Sequence, residues 1–127
     1  MQLRFGRVGV AGVGLIGGSI SLRLLRDGLA DEARGLDVDA SALDFARSHG
    51  IISHISSSES DFMRGLEMLI IATPIRQMEE LSLKLIPHAG GDLKAVIDVG
   101  STKAVVGKRL SEIWGGIYVG LHPMAGK

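Results

Sequence analysis

Gly12, Gly14 and Gly17 stand at G-x-G-x-x-G spacing inside the stretch "VAGVGLIGGSI". The stretch is apolar enough to be buried, yet it holds glycine where larger side chains would pack. The physical use of such glycine is room. Gly12 permits a tight turn, Gly14 lets an anionic group approach the backbone, and Gly17 lets a helix lie close against a strand. Where a strand precedes the pattern and a helix follows, the helix N-terminus adds free N–H groups and a positive dipole end, which suits a pyrophosphate. Asp37, in "RGLDVD", comes 20 positions after Gly17. A carboxylate at that distance accepts hydrogen bonds from the hydroxyls of an adenosine ribose and repels a 2′-phosphate, which favours NAD over NADP. Asp39 competes for that role but reads better as the cap of the next helix. Leu15 and Ile16, inside the turn, join the residues expected to hold the cofactor. The plainer use of the glycines is to tighten a strand–helix turn and nothing more.

Two further side chains have chemistry to offer. "DVGSTK" presents Asp98, Ser101 and Lys103, and "GLHPM" presents His122. Taking a hydride from a carbon that bears a hydroxyl, or from a ring that gains aromaticity, leaves a proton to be handled. A histidine near neutrality suits that task, and a neighbouring hydroxyl can orient it. Ser101 is equally suited to cap a helix, and His122 to be a loop residue held by Pro123. The other histidines (His49, His54 and His88) read as surface or terminal residues.

These residues depend on the elements that carry them. Arg7 to Ala11 is a β-branched strand, and a helical pattern with Ile16, Ile20, Leu24 and Leu25 follows the glycines until "RDG" stops it. Ala33 to Asp37 is a weaker strand. "DASALDFARSHG" is a helix capped by Asp39 or Ser41, with Leu43 and Ala46 inward and Gly50 as the stop. "SSSES" reads as a polar surface turn. "MLIIATP" is a buried strand, Ile75 to Ile86 a helix ended by Pro87, "KAVIDVGS" a strand, "TKAVVGKRLSEIW" a helix and "IYVGLHP" a last strand. Strands that are apolar throughout, alternating with helices, predict a parallel sheet covered on both faces. Right-handed crossovers make it a Rossmann-type, doubly wound, three-layer α/β/α fold.

Numbered along these five strands, the expected order is 3-2-1-4-5. Ligands then lie beyond the carboxyl ends of the strands, with the adenosine half over strands 2 and 3 and the nicotinamide over strands 4 and 5. On this scheme Thr73 and Pro74 end strand 3, where a loop can touch the dinucleotide. Ser101 and His122 share the crest beside the nicotinamide.

Composition narrows the class. The 127 residues suit one domain, 46% are apolar, and only 4% are aromatic, so Val, Ile, Leu and Ala must build the core. Fourteen basic residues balance fourteen acidic ones, so no excess charge draws the chain to nucleic acid or anionic lipid. The absence of Cys excludes disulfides and thiolate zinc sites, and no other metal site is expected. The apolar runs are too short and glycine-rich to span a bilayer, and "MQLRFGRV" lacks the apolar region of a signal peptide. A cytoplasmic location follows by elimination.

With these residues in view, the chain resembles the prephenate/arogenate dehydrogenase family of tyrosine biosynthesis. The matching segments are "VAGVGLIGGSI", "GLDVD", "IIATPI", "VIDVGSTK" and "VGLHPMAG", spread over nearly all of the chain. The first and third suit many dehydrogenases, whereas "DVGSTK" followed by "GLHPMAG" is far more specific. The resemblance implies NAD-dependent oxidative decarboxylation of prephenate, or of arogenate, to an aromatic product. It implies that His122 hydrogen-bonds the ring hydroxyl and accepts its proton, with Ser101 as hydroxyl partner. Family members carry a further helical domain that supplies dimer contacts and cationic groups for the substrate carboxylates. Residues 1–127 hold only the cofactor domain, so the chain alone is expected to lack turnover and the complete enzyme to be a homodimer. A dinucleotide sensor without catalysis is the other reading, against which Ser101 and His122 both count.

Overall fold

The computed structural model describes residues 4–100 and 104–120. In chain order the elements are β1 (Phe5–Ala11), α1 (Leu15–Arg26), β2 (Ala30–Leu36), α2 (Ala40–Ser48), β3 (His54–Ile55), α3 (Glu59–Met63), β4 (Met68–Ile71), α4 (Ile75–Leu85), β5 (Ala95–Asp98), α5 (Ala104–Trp114) and β6 (Tyr118–Gly120). Short 3-10 turns follow α4 and α5. All strand pairs are parallel, and the sheet order is β3-β2-β1-β4-β5-β6. The fold is the doubly wound Rossmann type, as the alternation of elements predicts. No helix among the described residues is long and apolar enough to cross a membrane.

β4 explains why the centre of the sheet reads as an unbroken apolar run. All four of its residues are buried. Leu69 and Ile71 pack on one face with Phe62, Met78 and Leu110. Met68 and Ile70 pack on the other with Val8, Leu43 and Ile52. A strand with helices on both sides has no wet face on which to place polar residues. Full burial of a side chain such as Leu69 contributes about 1.5–3 kcal/mol of transfer free energy.

The predicted strand order needs one correction. The sequence reading has five strands and misses β3 and α3. β3 is two residues long, pairing His54 with Arg34 and Ile55 with Gly35, and polar residues flank it. Ser53 continues this edge with its side chain, its hydroxyl accepting from the Ala33 N–H and donating to the Ala33 carbonyl. The stretch read as a surface turn contains Ser58, whose hydroxyl caps α3 at the Asp61 N–H, and α3 buries Phe62 and Met63. With β3 at the edge, the "MLII" strand is the fourth and lies beside β1, not beyond β2. Two boundaries also move: β1 begins at Phe5 and β2 at Ala30, because Phe5 and Ala30 pair across the register.

Gly12 has φ +95°, a left-handed conformation that favours glycine. A Cβ there would stand 2.7 Å from the Ala72 carbonyl oxygen. At Gly17 a Cβ would lie 2.0 Å from the Gly12 carbonyl oxygen and 2.9 Å from the Ala72 Cβ. Helix α1 thus rests on the turn and on the end of β4 through a bare backbone, which is the close approach expected of the third glycine. Gly17→Ala is accordingly expected to cost about 3 kcal/mol or more, because backbone on one side and β4 on the other leave nothing to yield. The midpoint of denaturant unfolding checks this, and an unchanged midpoint would mean that α1 is not seated as described.

Candidate functional site

The glycine turn, the end of β2 and the start of α4 enclose a groove of about 770 Å³ at the carboxyl edge of the sheet. Gly12 and Gly14 line its inner end. A Cβ built on Gly14 meets nothing within 4 Å, so this glycine faces open space while Gly12 and Gly17 are packed against backbone. Gly14 is also the N-cap of α1, which has no capping side chain and no acidic residue in its first turn. The first-turn amides therefore keep their donors without a side-chain acceptor. Bare N–H groups, the dipole end and an open approach make this a place for an anion.

Asp37 also lines the groove, directly after β2. Its carboxylate has a second function that the spacing does not reveal. One oxygen accepts from the Val13 N–H and the other from the Asp39 N–H, each at 2.9 Å. The side chain thus ties the glycine turn to the end of β2 and is held in one orientation. A carboxylate has about four acceptor positions, so two remain for ligand hydroxyls. Asp39 is occupied elsewhere. It accepts from the Ser41 hydroxyl and from the Ser41 and Ala42 N–H groups as the cap of α2. The Ser41 hydroxyl first, and then these amides, hold its carboxyl below the usual aspartate range. The cap expected of Asp39 is the one observed.

Thr73 and Pro74 follow β4 and line the groove. Their surroundings differ from the prediction, because β4 adjoins β1. A Cβ on Gly12 would lie 3.0 Å from the Thr73 N, so this loop faces the glycine turn and not the far adenosine edge. The Thr73 Oγ1 is buried and has no hydrogen-bond partner among the described residues. Leu15 and Ile16 are 88% and 56% exposed and stand out from the start of α1 without lining the groove.

Sequence reading misses the outer wall. Gln77, Leu81 and Lys84 of α4 line the groove, and their spacing of four and then three residues is the signal that one helix face turns to it. Glu59 joins them from the start of α3, inside the stretch read as a surface turn. Leu36 and Val38 flank Asp37 and give this end of the groove apolar surface suited to a base.

On the other side of β1, β4 and β5 continue to β6, with Asp98 opposite Gly120. Asp98 is fully buried and accepts a hydrogen bond from the Tyr118 hydroxyl. Burial first, and then this bond, push the Tyr118 hydroxyl well above the usual tyrosine range. The pair locks the last two strands side by side. Ser101 and His122 lie outside the described residues.

Comparison with known proteins agrees with the fold. Residues 20–127 match the family model described as "Prephenate dehydrogenase, nucleotide-binding domain". The prephenate dehydrogenase of Bacillus subtilis (strain 168) is 35% identical over 124 residues, covering 92% of this chain and 32% of that protein. Prephenate dehydrogenase from A. aeolicus, solved in complex with hydroxyphenyl propionate and NAD+, superimposes with a TM-score of 0.84 at 30% identity, over 100% of this chain and 44% of that one. Arogenate dehydrogenase from Synechocystis gives a TM-score of 0.82 at 30% identity, over 95% of this chain and 42% of that one. The chain thus spans about a third of the curated relative and under half of each solved structure.

Proposed function

The chain belongs to the prephenate dehydrogenase family, as its nucleotide-binding domain, and from that membership we propose that its groove binds NAD in the service of prephenate oxidation. The observation that carries the reading is the open space over Gly14, at an uncapped helix N-terminus and in one groove with Asp37. The pyrophosphate lies against the backbone of Gly14, Leu15 and Ile16. Asp37 takes the adenosine ribose hydroxyls on its two remaining acceptor positions. The buried Thr73 hydroxyl, without a hydrogen-bond partner among the described residues, is available to the dinucleotide beside the turn.

Bound NAD supplies the hydride acceptor. The chain's own residues orient the reactants and handle the proton. His122 accepts the proton of the substrate's ring hydroxyl and Ser101 holds the imidazole in place, while loss of CO2 and formation of 4-hydroxyphenylpyruvate complete the oxidative decarboxylation. Aromatisation of the ring provides much of the driving force. The protein's contribution is therefore alignment and polarisation of the hydroxyl. The arogenate dehydrogenase relative, as similar in sequence as the A. aeolicus enzyme, supports a second reading in which arogenate is the substrate and the chemistry is unchanged. Either route belongs to tyrosine biosynthesis, and the location proposed for the enzyme is the cytoplasm.

Titration with NADH and NADPH tests the cofactor assignment. Wild-type protein is expected to prefer NADH by roughly tenfold or more, since like charges in contact cost kilocalories and each 1.4 kcal/mol is a factor of ten. Asp37→Ser should narrow that gap and weaken NADH binding as the ribose acceptor is lost. Equal affinities in the wild type would remove Asp37 from the ribose.

A further inference from the structure

Charges around the outer groove are unevenly paired. Among the described residues its lining carries Asp37, Glu59 and Glu80 against a single cation, Lys84. Lys84 lies 3.7 Å from the Glu80 carboxylate on the same helix, so these two offset one another. Asp37 spends its oxygens partly on the Val13 and Asp39 amides. Glu59 differs from both. It makes no hydrogen bond or ion pair among the described residues, although it sits in the first turn of α3. The Ser58 hydroxyl already caps that helix. The neighbouring arginines are engaged elsewhere, Arg34 and Arg64 both with Asp61. An unneutralised carboxylate is therefore left on the wall of a groove that, by the reading above, receives an adenosine.

We propose that Glu59 is a second determinant of cofactor choice, its charge joining that of Asp37 to oppose a 2′-phosphate. The proposal rests on the groove binding a dinucleotide. Asp37 acts by contact, since the ribose hydroxyls it receives are absent as a pair from a 2′-phosphorylated ribose. Glu59 acts through its field. A 2′-phosphate adds up to two negative charges to a space already carrying net negative charge, and among the described residues nothing in the lining remains to neutralise them. Replacing Asp37 alone is then not enough to admit NADPH freely.

Dissociation constants for NADH and NADPH, measured by fluorescence titration at low and high salt, test this with Glu59→Gln, Asp37→Ser and the double variant. Glu59→Gln keeps the size of the side chain and removes its charge. It should leave NADH affinity within about twofold and tighten NADPH by about three- to tenfold, as expected for unit charges near one Debye length apart. The gain should shrink at high salt, where screening already silences Glu59. The double variant should bind NADPH more tightly than Asp37→Ser does. A merely structural role for Glu59 predicts instead that both nucleotides change by one factor, without salt dependence, and that result overturns the proposal. So does an unchanged NADPH affinity. A wild-type protein that binds neither nucleotide overturns the dinucleotide reading itself, and this proposal with it.

Discussion

Gly14→Val is expected to abolish measurable dinucleotide binding, a loss of at least about a hundredfold, while leaving the fold unchanged. The two halves of that statement have separate causes. The fold tolerates the change because a Cβ at Gly14 meets no atom within 4 Å. Its backbone, at φ −73° and ψ −156°, is extended and open to any residue. The residue is an N-cap without a capping side chain, so no hydrogen bond is lost. Binding fails because the added isopropyl group fills the space over the first-turn amides of α1, where the pyrophosphate must come within hydrogen-bonding distance. Gly14→Ala should lie between wild type and Gly14→Val. Circular dichroism and an unfolding midpoint report the fold, and calorimetric titration with NADH reports the site. Undiminished binding by Gly14→Val would put the phosphates elsewhere. The contrast with Gly17 separates the roles of two glycines in one motif, since Gly17→Ala should harm stability first and binding only as a consequence.

The elements most legible in the sequence are those whose burial leaves no choice of residue. "MLII" and "AVID" read as strands because helices cover both faces of the sheet and a central strand has no polar side to show. The glycine turn is legible because its chemistry needs an absence, and no other residue supplies one. β3 and α3 were hidden for the opposite reason. A two-residue edge strand, continued by the Ser53 side chain on Ala33, gives no periodicity to count. α3 is one turn and a fraction, and its buried residues, Phe62 and Met63, stand next to a serine-rich stretch that looks solvated. Missing one edge strand renumbered the rest, so the strand before Thr73 lies beside β1 and the Thr73 amide faces Gly12. Site residues follow the same division. Asp37 is marked by its distance from the glycines, but its hold on the Val13 amide depends on where β2 ends beside β1. Glu59 carries no local mark at all, because only the return of α3 towards the groove gives its charge a target.

His122→Asn is expected to retain NAD binding and lose most of kcat, by about 10² to 10⁴, the range for removal of a general base. The measurement belongs in a protein that contains this segment and turns over prephenate or arogenate. The proposed pairing of His122 with Ser101 starts from the strands that precede them in the sequence. β5 and β6 are parallel neighbours, Asp98 stands opposite Gly120, and Tyr118 is bonded to Asp98 beneath them. Ser101 follows Asp98 by three residues and His122 follows Gly120 by two in the sequence. To accept a proton, the imidazole must be neutral. Activity should therefore fall as pH drops through the range in which an imidazole takes up a proton, and His122→Asn should remove that acidic limb from the profile. Ser101→Ala removes an orienting hydroxyl and leaves the base, so its loss should be smaller and the acidic limb should persist. The split between binding and turnover decides the assignment. Near-normal kcat in His122→Asn would make the residue a loop histidine without a part in the chemistry. A variant that loses NAD along with kcat would make it a support of the cofactor site, and the base would then have to come from another group.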